Sequence, residues 1–301
     1  MTPTLRQLGE DKLLARILPL LNRNASLVVG AGDDCAVVRF RNAREWLLLK
    51  TDCVVERIHF AEKAKAQAVG WKAMMRPLSD FAAISGVPEF ALVTIAISGK
   101  KKLSWIHELY RGLNAAAARF GVAIAGGEWS ETIGPTVIVV AVTGFVERQR
   151  CVLRSGGRRG DDLFVTGKLG GSLRGRHLNF VPRVKEARWL TQHFKVHAMI
   201  DLSDGLGADL PRLAKASGLG FLIDPRALPL SRGCSVQQAI ADGEDYELLF
   251  AISPRHRSRL ERTWKRRFPN VPLTRIGSFN PPSAFRTPQL HSGYVHFRQR
   301  R

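Results

Sequence analysis

The chain has 301 residues, with 46 Lys and Arg against 26 Asp and Glu, a net charge of +20. At 45 % apolar and 24 % charged residues it is ordinary for a globular protein, which excludes wholesale disorder. Domains hold about 100–200 residues, so two domains are expected. A balance this basic points to an anionic partner: nucleic acid, a membrane surface or a phosphorylated small molecule.

Spacing of Leu and Ile predicts an opening helix from Leu5 to Leu21. The run from Ser26 ends at Gly30, Gly32, Asp33 and Asp34, and Cys35 onward continues as a strand. The stretch from Trp46 to Asp52 repeats this design, an apolar strand closing on Thr51 and a carboxylate. A helix is expected from Ala64 to Arg76, then Pro77, then a separate helical turn from Ser79 to Gly86. A strand from Phe90, an Ala-rich helix from Leu103 to Phe120, and strands at Val122–Glu128 and Thr136–Val146 complete the first half.

Arg, Gly and Ser concentrate between Arg148 and Gly160, which places a boundary there and divides the chain into domains 1–147 and 148–301. The second half opens at Leu163 with a strand and the Gly170–Gly171 turn. A helix from Pro182 to His193 follows, then an apolar step into Asp201, Ser203 and Asp204, then a helix through Leu213. A strand at Phe221, an acidic turn from Asp242 into another strand, and a basic helix from Pro254 to Phe268 finish it. Alternating strands and helices in both halves give an α+β or α/β architecture.

The acids carry more information than the excess charge. Fourteen of the 26 fall in clusters: Asp33/Asp34, Asp52/Glu56, Asp80, Glu128/Glu131, Asp201/Asp204/Asp209 and Asp242/Glu244/Asp245/Glu247. Neighbouring carboxylates repel unless a cation compensates them. Taken singly each cluster reads as solvated loop acids; repeated at strand ends, they point to a metal site. Mg²⁺ takes oxygen ligands and shares them with substrate phosphates. Asp34, Asp52, Asp80, Glu128 and Asp201 could therefore hold several Mg²⁺ ions on a triphosphate, with glycines at 30, 32, 126, 127, 170 and 171 letting backbone approach the phosphates.

There is no P-loop, no dinucleotide fingerprint, no zinc spacing and no nucleophile elbow. The four cysteines form no C-x-x-C pair, which suits a reducing compartment. No apolar run reaches the ~20 residues of a membrane span, and Glu10 and Asp11 ahead of a short apolar patch do not read as a signal peptide.

In order, the motifs are Gly32-Asp33-Asp34-Cys-Ala, Thr51-Asp52-x-x-Val-Glu56-x-x-His59-Phe60 and Leu78-Ser79-Asp80-Phe-Ala-Ala-Ile-Ser-Gly. Then come Gly126-Gly127-Glu128, Arg154-Ser-Gly, Ile200-Asp201-Leu-Ser203-Asp204-Gly205 and Gly243-Glu244-Asp245-Tyr246-Glu247-Leu. Together they resemble the thiamine-monophosphate kinases, within the aminoimidazole-ribonucleotide-synthetase-like superfamily, from about Leu5 to Phe297. The resemblance implies a cytoplasmic homodimer that uses ATP and Mg²⁺ to convert thiamine monophosphate to thiamine diphosphate by in-line transfer, with no covalent nucleophile. It implies an N-terminal mixed α/β domain that forms a dimer barrel and a C-terminal α/β layer domain. Asp34, Thr51, Asp52, Asp80, Glu128, Asp201 and Asp204 match metal ligands. Gly127, Arg154 and Ser203 match ATP contacts, and His59, Glu244 and Tyr294 match substrate-binding positions.

The chain departs from the family pattern at several places. Glu128 stands where Asp is usual, Trp129 where Thr is usual, Met75-Arg76-Pro77-Leu78 precedes Ser79 in place of Asn-Leu, and Lys50 replaces a small hydroxyl residue. Gly170-Gly171 lacks an Asp common in relatives. Lys50 and Arg76 beside the acids could stand in for part of a metal's charge, so an altered metal cluster is expected, with a divergent paralogue of changed activity as the alternative. Selenophosphate synthetases would show a reactive Cys before Gly32, and the hydrogenase-maturation relatives a Cys at the C-terminus; neither is present. The rival from another class is a basic nucleic-acid-binding protein, motivated by Pro254–Phe268 and Lys100-Lys101-Lys102. Aromatic residues do not interleave with these charges, so nothing beyond nonspecific charge attraction is expected.

Overall fold

A computed structural model describes residues 4–22, 24–40 and 44–281. Two sheets divide it. The first carries β1 (Leu27–Val29), β2 (Ala36–Arg39), β3 (Glu45–Val55), β4 (Val87–Ile97), β5 (Ala123–Glu131) and β6 (Val137–Glu147) in the order β1-β2-β3-β6-β4-β5. All its pairs are antiparallel except β4 with β5, which are parallel and joined by a crossover helix.

The opening helix is broken. It forms as α1 (Leu5–Leu8) and α2 (Glu10–Ile17), separated by Gly9 at φ 70°, a conformation that ends the first segment. The two helical segments expected on either side of Pro77 are one helix, α3 (Ala66–Ala83), with Pro77 inside it. Proline removes one backbone hydrogen bond, but fourteen of the eighteen residues of α3 are buried, and that packing holds the helix through the defect.

Helices α3 and α4 (Leu103–Phe120) cover one face of the first sheet. They meet backbone to backbone. A Cβ at Gly70 would lie 2.0 Å from the Leu109 carbonyl oxygen, and one at Gly112 would lie 1.9 Å from that of Gln67. Along β6, Ile138, Val140 and Val142 point into this core, while Val139, Ala141 and Thr143 alternate onto the other face. That second face has no cover among the described residues: Leu49, Phe90 and Leu92 are 40 %, 52 % and 52 % exposed on it.

The second sheet is antiparallel throughout, with β7 (Asp162–Thr166), β8 (Val196–Asp201), β9 (Gly220–Ile223), β10 (Leu248–Ile252) and β11 (Leu273–Asn280) in the order β8-β10-β7-β11-β9. Its central strands β7 and β10 are buried on both faces. Leu163, Val165 and Leu249 face α6 (Leu206–Ala216) and α7 (Val236–Ala241). Phe164, Leu248 and Phe250 face α5 (Val184–His193) and α8 (Arg257–Arg267). The basic helix α8 docks through Leu260 and Trp264, one turn apart, and leaves its charges outside.

The halves share their cores. Ala82 and Ala83 of α3 join the second domain's cluster, and Phe180 and Tyr246 of the second domain join the first. The seam between the sheets is where the acids converge.

Candidate functional site

Three carboxylates meet in this seam. Asp34 lies in the β1–β2 loop, Asp80 lies on α3, and Asp201 ends β8. Their oxygens lie within 4.8 Å of one another, and all three residues are buried. Ser79 Oγ–H donates to Asp201 Oδ2 at 2.6 Å. Arg154 grips Asp34 with two donors, Nη2 to Oδ1 at 2.7 Å and Nε to Oδ2 at 3.2 Å, while its backbone N–H donates to Asp33 at 3.0 Å. Lys50 Nζ lies 2.7 Å from Asp80, and Arg76 Nη2 lies 3.2 Å from Asp52.

The electrostatics follow from crowding. Burial, then the Asp34 charge, pushes Asp201 up to about 7. Burial pushes Asp80 well up, with Lys50 opposing and Asp201 and Asp52 adding to the rise. Asp33 is held at about 6 by burial and Asp34. Burial acts to raise Asp52, but Arg76 and Lys50 outweigh it and hold that carboxyl below its ordinary value. A set of buried oxygen donors, crowded and under-compensated, fits a hard divalent cation such as Mg²⁺. Asp34, Asp80 and Asp201 would hold it, with Asp52 adjoining.

Beside the acids lies a cavity of about 330 Å³, lined by His59, Phe60, Arg76, His177, Ser203 and Glu244 among others. Two loops close it backbone to backbone. The Glu244 N–H donates to the Ser203 carbonyl at 2.7 Å, and the Tyr246 N–H to that of Leu202 at 2.8 Å. Glu244 and Tyr246 take positive φ, 62° and 51°, which is strained for residues with a Cβ. Tyr246 stacks on Phe180 with ring centroids 3.8 Å apart. Lys72, fully buried on α3, reaches into the wall. Its Nζ donates to the His59 carbonyl at 2.6 Å and to Glu244 Oε2 at 2.5 Å. His59 Nδ1 accepts from the Val55 N–H at 3.0 Å, which fixes its ring.

Residues 32–146 match the family model for the AIR synthase related protein N-terminal domain, and residues 156–262 that for the C-terminal domain. The thiamine-monophosphate kinase of Rhodopirellula baltica is 37 % identical, over 89 % of this chain and 88 % of that protein. The chain belongs to the thiamine-monophosphate kinase family. The thiamine-monophosphate kinase of Bacillus subtilis is 30 % identical, over 90 % of this chain and 91 % of its own. The solved structure of AaThiL complexed with AMPPCP and TMP is similar at a TM-score of 0.84. It is 30 % identical and covers 98 % of this chain and 99 % of that one.

The fold brings together most residues that match the kinase family's motifs. Asp34, Asp52, Asp80, Asp201 and Arg154 share the acid cluster, and His59, Ser203, Asp204 and Glu244 line the cavity. Asp204 lies outside the three-acid group and pairs with Arg212, with its backbone N–H donating to Asp209 at 3.0 Å. Thr51 and Glu128 are set apart. Alternation along β3 turns Lys50 and Asp52 toward the helices and Thr51 onto the open face. Glu128 pairs in register with exposed Thr94, on that same open face at the edge strand β5. Gly127 precedes it there, three strand spacings or about 14 Å from β3. Tyr294 lies outside the described residues.

Two glycines expected to cradle phosphate are tied up. The Gly170 N–H donates to Asp245 at 3.0 Å and the Gly171 N–H to Asp242 at 2.9 Å. These acids hold one loop against another, and Glu247 pairs with Arg183 and Thr166. Lys72 is the site residue that sequence reasoning missed. Its signal was a lone lysine on an otherwise apolar helix stretch, between Val69 and Met75.

Proposed function

We propose that the chain phosphorylates thiamine monophosphate to thiamine diphosphate, with ATP as donor and Mg²⁺ as cofactor. The observation that carries this reading is the buried Asp34–Asp80–Asp201 group opening beside a cavity whose wall presents Glu244 and His59. In such transfer a terminal oxygen of the monophosphate attacks the γ-phosphorus, the bond to the bridging oxygen breaks, and ADP departs. Catalysis is positioning and charge compensation. Bound Mg²⁺ supplies charge neutralisation on the phosphate oxygens.

The chain's own residues do the rest. Asp34, Asp52, Asp80 and Asp201 set the negative field that fixes cations at the seam, and Asp204 extends it toward Ser203. Arg154 and Ser203 receive the nucleotide. Glu244 faces the cationic thiazolium and His59 shapes the pocket; Tyr294 is assigned to the substrate by its motif match alone. The division falls at 147/148, and the cytoplasm is the working compartment; no described helix is long and apolar enough to cross a membrane.

The working form is a homodimer. The open apolar face of the first sheet is what a second copy covers, closing the two sheets into a barrel. Glu128, Gly127 and Thr51 lie on or beside that face, so their metal and ATP roles are exercised across the interface. The test is direct: purified protein with ATP, Mg²⁺ and thiamine monophosphate, and chromatography for thiamine diphosphate. Asp201→Asn should lower kcat about a hundredfold or more while keeping its melting temperature, because it removes a crowded buried carboxylate. No diphosphate product at any Mg²⁺ concentration overturns the reading.

A further inference from the structure

The acid cluster contains its own cations, and they are unevenly placed. Lys50 and Asp52 lie two residues apart on one side of β3, while Arg76 and Asp80 lie one turn apart on α3. The four interleave. Lys50 Nζ touches Asp80 at 2.7 Å, and Arg76 Nη2 approaches Asp52 at 3.2 Å, with all four side chains at least three-quarters buried. Arg76 Nε and Nη1 are buried without a hydrogen-bond partner. The guanidinium is therefore not there to satisfy its own donors; its closest charged contact is a carboxylate. On the opposite side, Arg154 compensates Asp34. Between them, Asp201 accepts from the Ser79 hydroxyl and forms no ion pair among the described residues, so Lys50 and Arg154 act on it only as neighbouring charges.

We propose that Lys50 and Arg76 take the place of one divalent cation on the Asp52–Asp80 side of the cluster. This rests on the Mg²⁺-dependent reading above. Together the two side chains carry a charge of +2, that of one Mg²⁺. An ammonium nitrogen 2.7 Å from an Asp80 oxygen fills the place of a metal ion bound at about 2.1 Å. A second ion there would meet two fixed positive charges. Divalent ions that arrive with the nucleotide are thereby confined to the Asp34–Asp201 side, where charge is under-compensated.

The experiment counts metal directly. Wild type, Lys50→Met/Arg76→Met, Lys50→Met alone and Lys50→Arg are each saturated with a non-hydrolysable ATP analogue and titrated with Mn²⁺. Bound Mn²⁺ is read from the loss of the free-ion electron paramagnetic resonance signal. The double variant should bind one more Mn²⁺ per chain than wild type, and its melting temperature should rise with Mn²⁺ over a range where wild type is flat. Lys50→Met alone should bind its weakest Mn²⁺ at least tenfold tighter than wild type. Lys50→Arg should keep the wild-type count. Equal counts in wild type and double variant overturn the inference, as does an unchanged weakest site in Lys50→Met if the double variant does not fold. Wild type that binds the nucleotide analogue but no Mn²⁺ overturns the metal-dependent reading itself.

Discussion

Replacing Lys72 with Met separates what that lysine does for the pocket from what it does for the fold. Its side chain is fully buried, between the His59 carbonyl and Glu244. Burial pulls the ammonium down from its ordinary 10.5 to about 8, against the pull of Glu244 and with help from Arg76. That fall corresponds to about 3 kcal/mol against the charged form. Breaking a buried ion pair ordinarily costs ~3–5 kcal/mol. Removing the lysine releases the burial penalty, and Glu244 retains 17 % side-chain exposure to water. The two contributions nearly cancel, so Lys72→Met should lose no more than ~2 kcal/mol at pH 7 by urea denaturation.

The pocket should suffer more than the fold. Glu244 and the His59 carbonyl both lose a charged donor, worth ~1.5–3 kcal/mol, so KM for thiamine monophosphate should rise ten- to a hundredfold with kcat changed far less. The pH dependence gives an independent check. Between about 8 and 10.5 the unfolded chain keeps the Lys72 proton and the folded chain has lost it. Stability from this group therefore climbs with pH across that window. The wild-type-minus-variant stability difference should climb by about 3 kcal/mol over it. A flat difference, or a loss above ~4 kcal/mol with KM unchanged, would refute the reasoning.

Gly112→Ala should cost about 3 kcal/mol in a urea melt, at the upper end for overpacking, because its Cβ would meet the Gln67 carbonyl at 1.9 Å and force α3 from α4. Glu147 accepts hydrogen bonds from Arg188, which with Arg150 hold its carboxyl down to about 2 against burial. Its stabilisation is complete above about 4.5 and lost as pH falls toward 2. At roughly one-third exposure, Glu147→Gln should remove only about 1 kcal/mol at pH 7 and flatten that acid limb. Leu92→Glu, on the open face of the first sheet, should halve the sedimenting mass while leaving the far-ultraviolet circular dichroism unchanged. A variant that still sediments as a dimer places the interface elsewhere.

The cluster was legible in the sequence because its parts repeat one design, an apolar run closing on an acid. Asp34, Asp52 and Asp201 all follow apolar runs, and the fold carries them to one seam, although β3 does not close on Asp52 as expected but runs on to Val55. The two-fold period of β3 also held the information that Lys50 and Asp52 share a face and Thr51 does not. Motif matching treats Thr51-Asp52 as a unit and passes over it. The position of Glu128 was not legible, since strand order is a long-range property and β5 lands at the edge beyond β6 and β4. Pro77 misled because its local cost is visible in sequence, whereas the burial of α3 that offsets it is not. The Gly170–Gly171 turn misled because a glycine's freedom says nothing of what its N–H will meet.

Helix α3 sets a constraint on how this protein can vary. Lys72, Arg76, Ser79 and Asp80 fall within about 100° of one another around its axis, at 100° per residue. One helix thus meters the spacing from the pocket wall at Lys72 to the acid cluster at Asp80. Inserting or deleting a single residue between them would rotate one end by about 100° relative to the other and disengage either Glu244 or Asp201. Its backbone contact with α4 at Gly70 and Gly112 blocks the helix from sliding to compensate. Length changes in descendants of this chain should therefore collect in surface loops, while the stretch from Gly70 to Asp80 keeps its residue count even where its side chains drift.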